Sequence, residues 1–154
     1  MNSVHKSVLI WHSPQQMFDL VSDVPSYPQF LPWCDAAQIV QKHADGQTAE
    51  IGLNFKGLRQ EFSTRNTHIH HKSGMLEERL SLVQGPFSEL EGQWLFSPLR
   101  DIQSGAAPSA CKVELLLSYS FGNAAMAALV GPVFDKIASS LVDAFVQRAE
   151  SVYG

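Results

Sequence analysis

Four groups of side chains could carry chemistry, and each is judged by the element that would hold it. His68 and His70 stand two residues apart, which puts two imidazoles on one face of a strand, and such a pair can ligate zinc. His71 points the other way, and no cysteine or further histidine follows at a useful spacing. The better reading is a solvated strand end and turn, with no metal. Glu77, Glu78, Glu89 and Glu91 lie on strand-like stretches, and paired carboxylates can move protons. Glu89 and Glu91 share the face opposite Trp94, the expected solvent side, so the set reads as a charged outer face. Lys56, Arg59, Arg65 and Lys72 span two neighbouring strands. They could form a small strip for phospholipid head groups or RNA, but a solvated sheet surface is the better reading. No Gly-x-Ser-x-Gly elbow, phosphate loop or dinucleotide fingerprint occurs, and no catalytic residue is assigned.

The fourth group is apolar. Phe30, Trp33, Phe55, Phe62, Phe87, Trp94, Phe96, Phe134 and Phe145 are numerous enough to line a pocket as well as a core. Apolar pockets are built from such rings plus a few polar groups that orient the ligand. Tyr119, Arg79, Asn54 and Cys34 are the polar candidates. The stretch Val24–Cys34 concentrates this pattern, with three prolines, three aromatic rings and a leucine. The prolines exclude a long regular helix and a central strand. A rigid apolar segment of that kind must bury its rings in a core, at a cavity mouth or against a partner. Tyr27, Phe30, Leu31 and Trp33 are therefore expected to form a lid, over a pocket lined by Phe55, Phe62, Trp94, Phe96, Tyr119, Phe134, Leu141 and Phe145.

Composition bounds the answer. The chain has 154 residues, 45% hydrophobic and 17% charged, with a net charge of −4. This suits one folded domain over residues 1–154 and argues against disorder. It also argues against DNA binding through a broad basic face. Two cysteines, Cys34 and Cys111, do not make a disulfide framework and read as reduced, buried thiols. No signal segment is visible, and the longest apolar run, Ala124 to Phe134, is far short of the roughly 20 residues of a membrane helix. A cytoplasmic protein is expected, able to lie peripherally at the inner membrane.

The elements follow from periodicity. Residues 3–11 read as a strand, with Val4, Val8 and Ile10 on one parity and Leu9 and Trp11 on the other. Ser13-Pro14-Gln15-Gln16 is a capped helix start, and Pro25 ends that helix near Val24. A second short helix is expected around Tyr27–Leu31. Between Ala36 and Phe121 the period is two, with strands at Ala49–Phe55, Arg59–Ile69, Met75–Val83, Phe87–Leu99 and Cys111–Phe121. The last thirty residues turn to period 3.6, and Val130, Val133, Phe134, Ile137, Leu141, Phe145 and Val152 form one stripe. Gly131-Pro132 is expected to kink this helix or mark its beginning. The order implies an α+β fold, an antiparallel sheet gripping a long C-terminal helix with a cavity between them.

With "FDLVSDVPSYPQFLPWC" at Phe18–Cys34, "GPFSELEGQWLF" at Gly85–Phe96 and "VFDKIASSLVDAFVQRAESVYG" at Val133–Gly154, the chain resembles the coenzyme Q-binding START-like family. In bacteria that family is also called the ribosome association toxin family. The resemblance implies a helix-grip fold, with a seven-stranded antiparallel sheet round a C-terminal helix over an apolar tunnel. It implies non-enzymatic binding of a polyprenyl quinone or similar lipid in support of respiration, with ubiquinone as the bound ligand and no cofactor required. Its toxin name implies a different partner, the large ribosomal subunit, and a block on subunit joining. START-like folds also include cyclases and dehydratases, so small-molecule cyclisation is a further alternative by fold analogy.

Overall fold

The computed structural model describes residues 2–55, 57–99 and 109–154. Seven strands form one antiparallel sheet: β1 (Asn2–Ile10), β2 (Cys34–His43), β3 (Gly46–Phe55), β4 (Leu58–His70), β5 (Leu76–Gln84), β6 (Phe87–Pro98) and β7 (Cys111–Phe121). Their spatial order is β1-β7-β6-β5-β4-β3-β2. Strands β2 to β7 are thus a meander, and β1 joins it by pairing with β7. Because β1 and β2 lie at opposite edges, the chain between them must cross a face of the sheet. That crossing is made by α1 (Pro14–Ser22) and a 3₁₀ helix (Val24–Gln29). The final helix, α2 (Ala124–Tyr153), packs on β7, β1 and α1.

Local chemistry sets these boundaries. Ser13 accepts a hydrogen bond from the Gln16 amide at 3.1 Å, and the Gln16 side chain accepts one from the Ser13 amide at 2.9 Å. This closes the expected capping box. The second short helix is 3₁₀ and begins three residues earlier than expected, since Pro25 fits its first turn. Gly46 closes the β2–β3 turn against β4. A Cβ there would lie 1.9 Å from the Asn66 carbonyl oxygen, so only glycine allows this approach.

Strand alternation holds where the sequence predicts it. Trp94 and Phe96 are buried at 3% and 0%, while Glu89 and Glu91 face water and Gln93 is half-buried. The irregularity in β6 falls between Phe87 and Glu89, not near Gly92, and it leaves the Glu89–Phe96 alternation intact. Cys111, Val113, Leu115, Leu117 and Tyr119 are all buried on one face of β7. On β1 the even parity turns inward and ends with buried Ile10, while Leu9 and Trp11 are exposed.

Three expectations about α2 need correction. The helix begins at Ala124, where the Asn123 side chain accepts from the Met126 amide at 2.8 Å. Gly131-Pro132 therefore does not mark its beginning, and the helix runs on through Pro132, which costs the Ala128 carbonyl one ladder partner. The buried stripe is Val130, Phe134, Ile137, Ala138, Val142, Phe145 and Ala149. Leu141 is half-buried and Val152 is exposed, while Tyr153 donates to the Gln16 carbonyl of α1 at 2.9 Å. Finally, the whole helix is long and apolar enough to cross a membrane by length and composition, although its apolar stripe packs into the core.

Candidate functional site

Between the inner face of the sheet and α2 lies a cavity of about 90 Å³. Trp94, Leu115 and Leu117 form its floor, Phe134, Ile137 and Phe145 of α2 its roof, and Tyr27 and Trp33 close one side. Seven expected site residues meet on its wall: Tyr27, Trp33, Phe62, Trp94, Phe134, Leu141 and Phe145. Two rings of α2 organise the aromatic packing. Phe145 takes Tyr27, Phe30 and Trp94 edge-on at 5.5, 5.2 and 5.3 Å. Phe134 does the same for Tyr119 and Phe87 at 4.7 and 4.9 Å. Such pairs add to the burial of the rings themselves.

The other five expected residues lie off the cavity wall. Leu31 is 1% exposed and packs with Val24, Cys34, Ala49 and Ile51, so it is a plug of the core. Phe30 is half-buried outside the cavity, between Phe145 and the Arg148 guanidinium, which lies 5.0 Å from its ring. Phe96 stacks on Trp94 at 6.2 Å and meets Phe18 edge-on at 6.0 Å in the core. Phe55 ends β3 with Lys136 above its ring at 5.7 Å. Tyr119 is buried and donates its hydroxyl to Asp135, and burial followed by that carboxylate holds its phenol far above the usual range.

None of the four polar candidates enters the cavity. Arg79 lies on the outer face against Glu77 at 2.6 Å, and Asn54 is exposed and donates to Asp35 at 3.4 Å. Cys34 and Cys111 are free and buried, and burial pushes their thiols up to about 11 and about 12, which makes them inert at neutral pH. The polar groups that do line the cavity are Thr64, Asn66 and Glu78. Glu78 is 1% exposed. Its Oε1 pairs with His68 Nε2 at 2.8 Å, and the His68 ring meets Phe18 edge-on at 4.9 Å. Burial pushes the Glu78 carboxyl up, and His68 only partly opposes this. Thr64 Oγ1 donates to Asn66 Oδ1 at 2.7 Å. Tyr27 also lines the cavity, and its hydroxyl donates to the Val21 carbonyl.

This overturns the outer-face reading of Glu78 and the solvated reading of His68. The signal was parity: Glu78 alternates in step with Leu76, Leu80 and Leu82, and His68 with Phe62, Thr64 and Asn66. Glu77 does sit on the outer face, yet it is 2% exposed under His71, Arg79 and Gln93. Burial alone would raise its carboxyl, but those three hydrogen bonds outweigh burial and hold it low. Among the described residues no three His, Cys, Asp or Glu side chains come together to hold a metal ion. The basic strip is largely neutralised. Arg59 pairs with Asp35 at 2.8 Å and Glu61 at 2.7 Å, and Arg65 pairs with Asp45. Lys72 is exposed, and Lys56 lies outside the described residues.

Comparison with known proteins agrees with this geometry. The ribosome association toxin RatA of Pseudomonas aeruginosa is 36% identical over 98% of this chain and 97% of its own length. The mitochondrial coenzyme Q-binding protein COQ10 homolog B of Xenopus laevis is 26% identical over 97% of this chain and 58% of its own. Among solved structures, a START superfamily protein from Mycobacterium smegmatis superposes with a TM-score of 0.72 at 20% identity, covering 97% of this chain and 98% of that one. The Zhui aromatase/cyclase from a Streptomyces species gives 0.75 at 13% identity, covering 97% and 93%. These two establish the helix-grip fold. Residues 10–146 match the family described as polyketide cyclase/dehydrase and lipid transport, and the chain belongs to that family.

Proposed function

We propose that this chain binds an isoprenoid-tailed lipid of the polyprenyl quinone class between its sheet and its final helix, without chemical turnover. The observation that carries this reading is the cavity itself, apolar on nearly every side and walled by Trp94, Phe134 and Phe145. Burial of a tail there contributes roughly 0.8 kcal/mol per CH₂. At about 90 Å³ the space is smaller than the ~150 Å³ apolar cavity that accepts benzene. Entry of a ring and tail therefore requires half-buried wall residues, Tyr27, Trp33 and Leu141, to swing outward. The relative named as coenzyme Q-binding supports the ligand class. Solvent extraction of the purified chain followed by mass spectrometry tests it. A co-purified quinone, or uptake of added short-tailed ubiquinone by extracted protein, is expected; absence of both would sink the reading.

A second reading is association with the large ribosomal subunit, favoured by the name of the relative at 36% identity. The net charge of −4 and the pairing of Arg59 and Arg65 with carboxylates weigh against a broad RNA contact; a contact with ribosomal protein escapes that objection. Co-sedimentation of ligand-free protein with large subunits, lost on adding salt-washed competitor protein of the same family, is the expected result if this reading holds.

A further inference from the structure

The apolar cavity has one polar corner, which neither the family description nor the names of the relatives explains. It is built on alternate, same-face rungs of the β4–β5 ladder, where His68 faces Glu78 and Asn66 faces Leu80. Thr64 Oγ1 donates to Asn66 Oδ1, so the Asn66 amide nitrogen keeps two donors that find no protein partner among the described residues. Glu78 engages His68 through Oε1, and no described residue donates to its Oε2. Both side chains are buried, at 4% and 1% exposure. Both side chains line the cavity, where a ligand can reach their open hydrogen-bonding positions; among the described residues the fully buried side-chain atom left without a partner is Arg148 Nε, away from this corner.

Proton placement fixes what that ligand must bring. A proton lying between His68 Nε2 and Glu78 Oε1 leaves Oε2 an acceptor whichever of the two atoms carries it; a second proton, on Oε2, would make it a donor. Of the polar-tipped rings on the wall, Tyr27 has its hydroxyl committed to the Val21 carbonyl, and neither the Trp33 nor the Trp94 indole N–H reaches Glu78 in a hydrogen bond among the described residues.

We infer that Thr64, Asn66 and Glu78 form a head-group subsite for a hydroxylated ring, of the quinol or phenol type, whose O–H donates to Glu78 Oε2 and whose oxygen accepts from the Asn66 amide. This rests on the lipid-binding reading and narrows it. A fully oxidised quinone offers only acceptors: it can take the Asn66 amide but leaves an unprotonated Oε2 unpaired, so it binds the same cavity more weakly. A hydroxylated head satisfies both partners at once.

The test uses the full chain and two probes that differ by one methyl group, 4-nonylphenol and 4-nonylanisole, titrated calorimetrically. Wild type should bind the phenol on the order of tenfold tighter, since only the phenol pairs the buried acceptor. Glu78→Leu should bring the two affinities together. Asn66→Ala should weaken both probes and leave their ratio unchanged. Circular dichroism checks that each variant is folded, and the wild-type ratio decides even where a variant is not. Equal binding of the two probes by wild type, or an unchanged ratio in folded Glu78→Leu, overturns the subsite and leaves the cavity reading standing. Failure of wild type to bind either probe overturns both.

Discussion

Glu77 and Glu78 are neighbours in sequence and both are buried, yet they load the fold in opposite directions. Glu78 is raised by burial, so the folded state holds its proton more tightly than the unfolded chain, whose carboxyl titrates near pH 4.3 on the order of a model glutamate. Stability from this group is complete below that pH and is lost as pH rises through the folded value. Glu78→Gln should therefore unfold at a higher temperature than wild type at pH 8, with the gap closing toward about pH 4. For Glu77 burial is outweighed by hydrogen bonds from His71, Arg79 and Gln93. Its stabilisation is present above the unfolded pKa and disappears as pH falls through the lowered folded value. Glu77→Gln should lose about 1.5–3 kcal/mol near pH 7, the range for hydrogen bonds to a charged group, and less in acid. Urea denaturation of the two variants between pH 4 and 8 reads both effects. Shifts of the same sign at pH 8 would contradict these assignments.

At the scale of elements, the proline-rich crossing segment combines two roles that the sequence presents as one. Composition alone groups Tyr27, Phe30, Leu31 and Trp33 as a lid. The structure divides them: Tyr27 lies in the 3₁₀ helix, whereas Phe30, Leu31 and Trp33 follow it on the turn that leads into β2. Leu31 points into the second core cluster, while Tyr27 and Trp33 edge the cavity and stay half-buried. The segment is tied to α2 through Phe30 beneath Arg148 and through Arg148 Nη2 donating to Gln29 Oε1 at 3.1 Å. Leu31→Ala should thus cost about 2–5 kcal/mol. Trp33→Ala should cost less than Leu31→Ala despite its larger side chain, and should change ligand uptake instead. Chemical denaturation orders the two, and a greater loss for Trp33→Ala would make Trp33 part of the plug. The same limit applies to α2. Its period of 3.6 was readable, but Val142 turning inward and Val152 outward depend on where α1 meets the helix, which no single-element pattern encodes.

For the whole molecule, legibility followed the strength of alternation. Strands β3 to β7 alternate clearly and are legible in the sequence, as is the capping box that starts α1. Strand β2, where Cys34–His43 is mostly exposed at an edge with two register shifts, carries weak alternation and was not located. The polar corner was missed for a related reason. Its residues are polar and carry no apolar alternation, although their parity places them inside. The molecule that results is a sheet and helix closed around a small cavity, and its response to ligand follows from linkage. A ligand that binds only the folded state adds about 2.7 kcal/mol at a hundredfold excess over Kd. For a chain of this size that raises Tm by roughly 5–10 °C. A decyl-tailed benzoquinol should produce such a shift. Leu141→Trp places bulk at the half-buried edge of the cavity wall, so it should keep its fold and lose the shift. If the variant shifts as far as wild type, the ligand sits elsewhere, for instance on the exposed Leu9 and Trp11, and the space between sheet and helix is not its site.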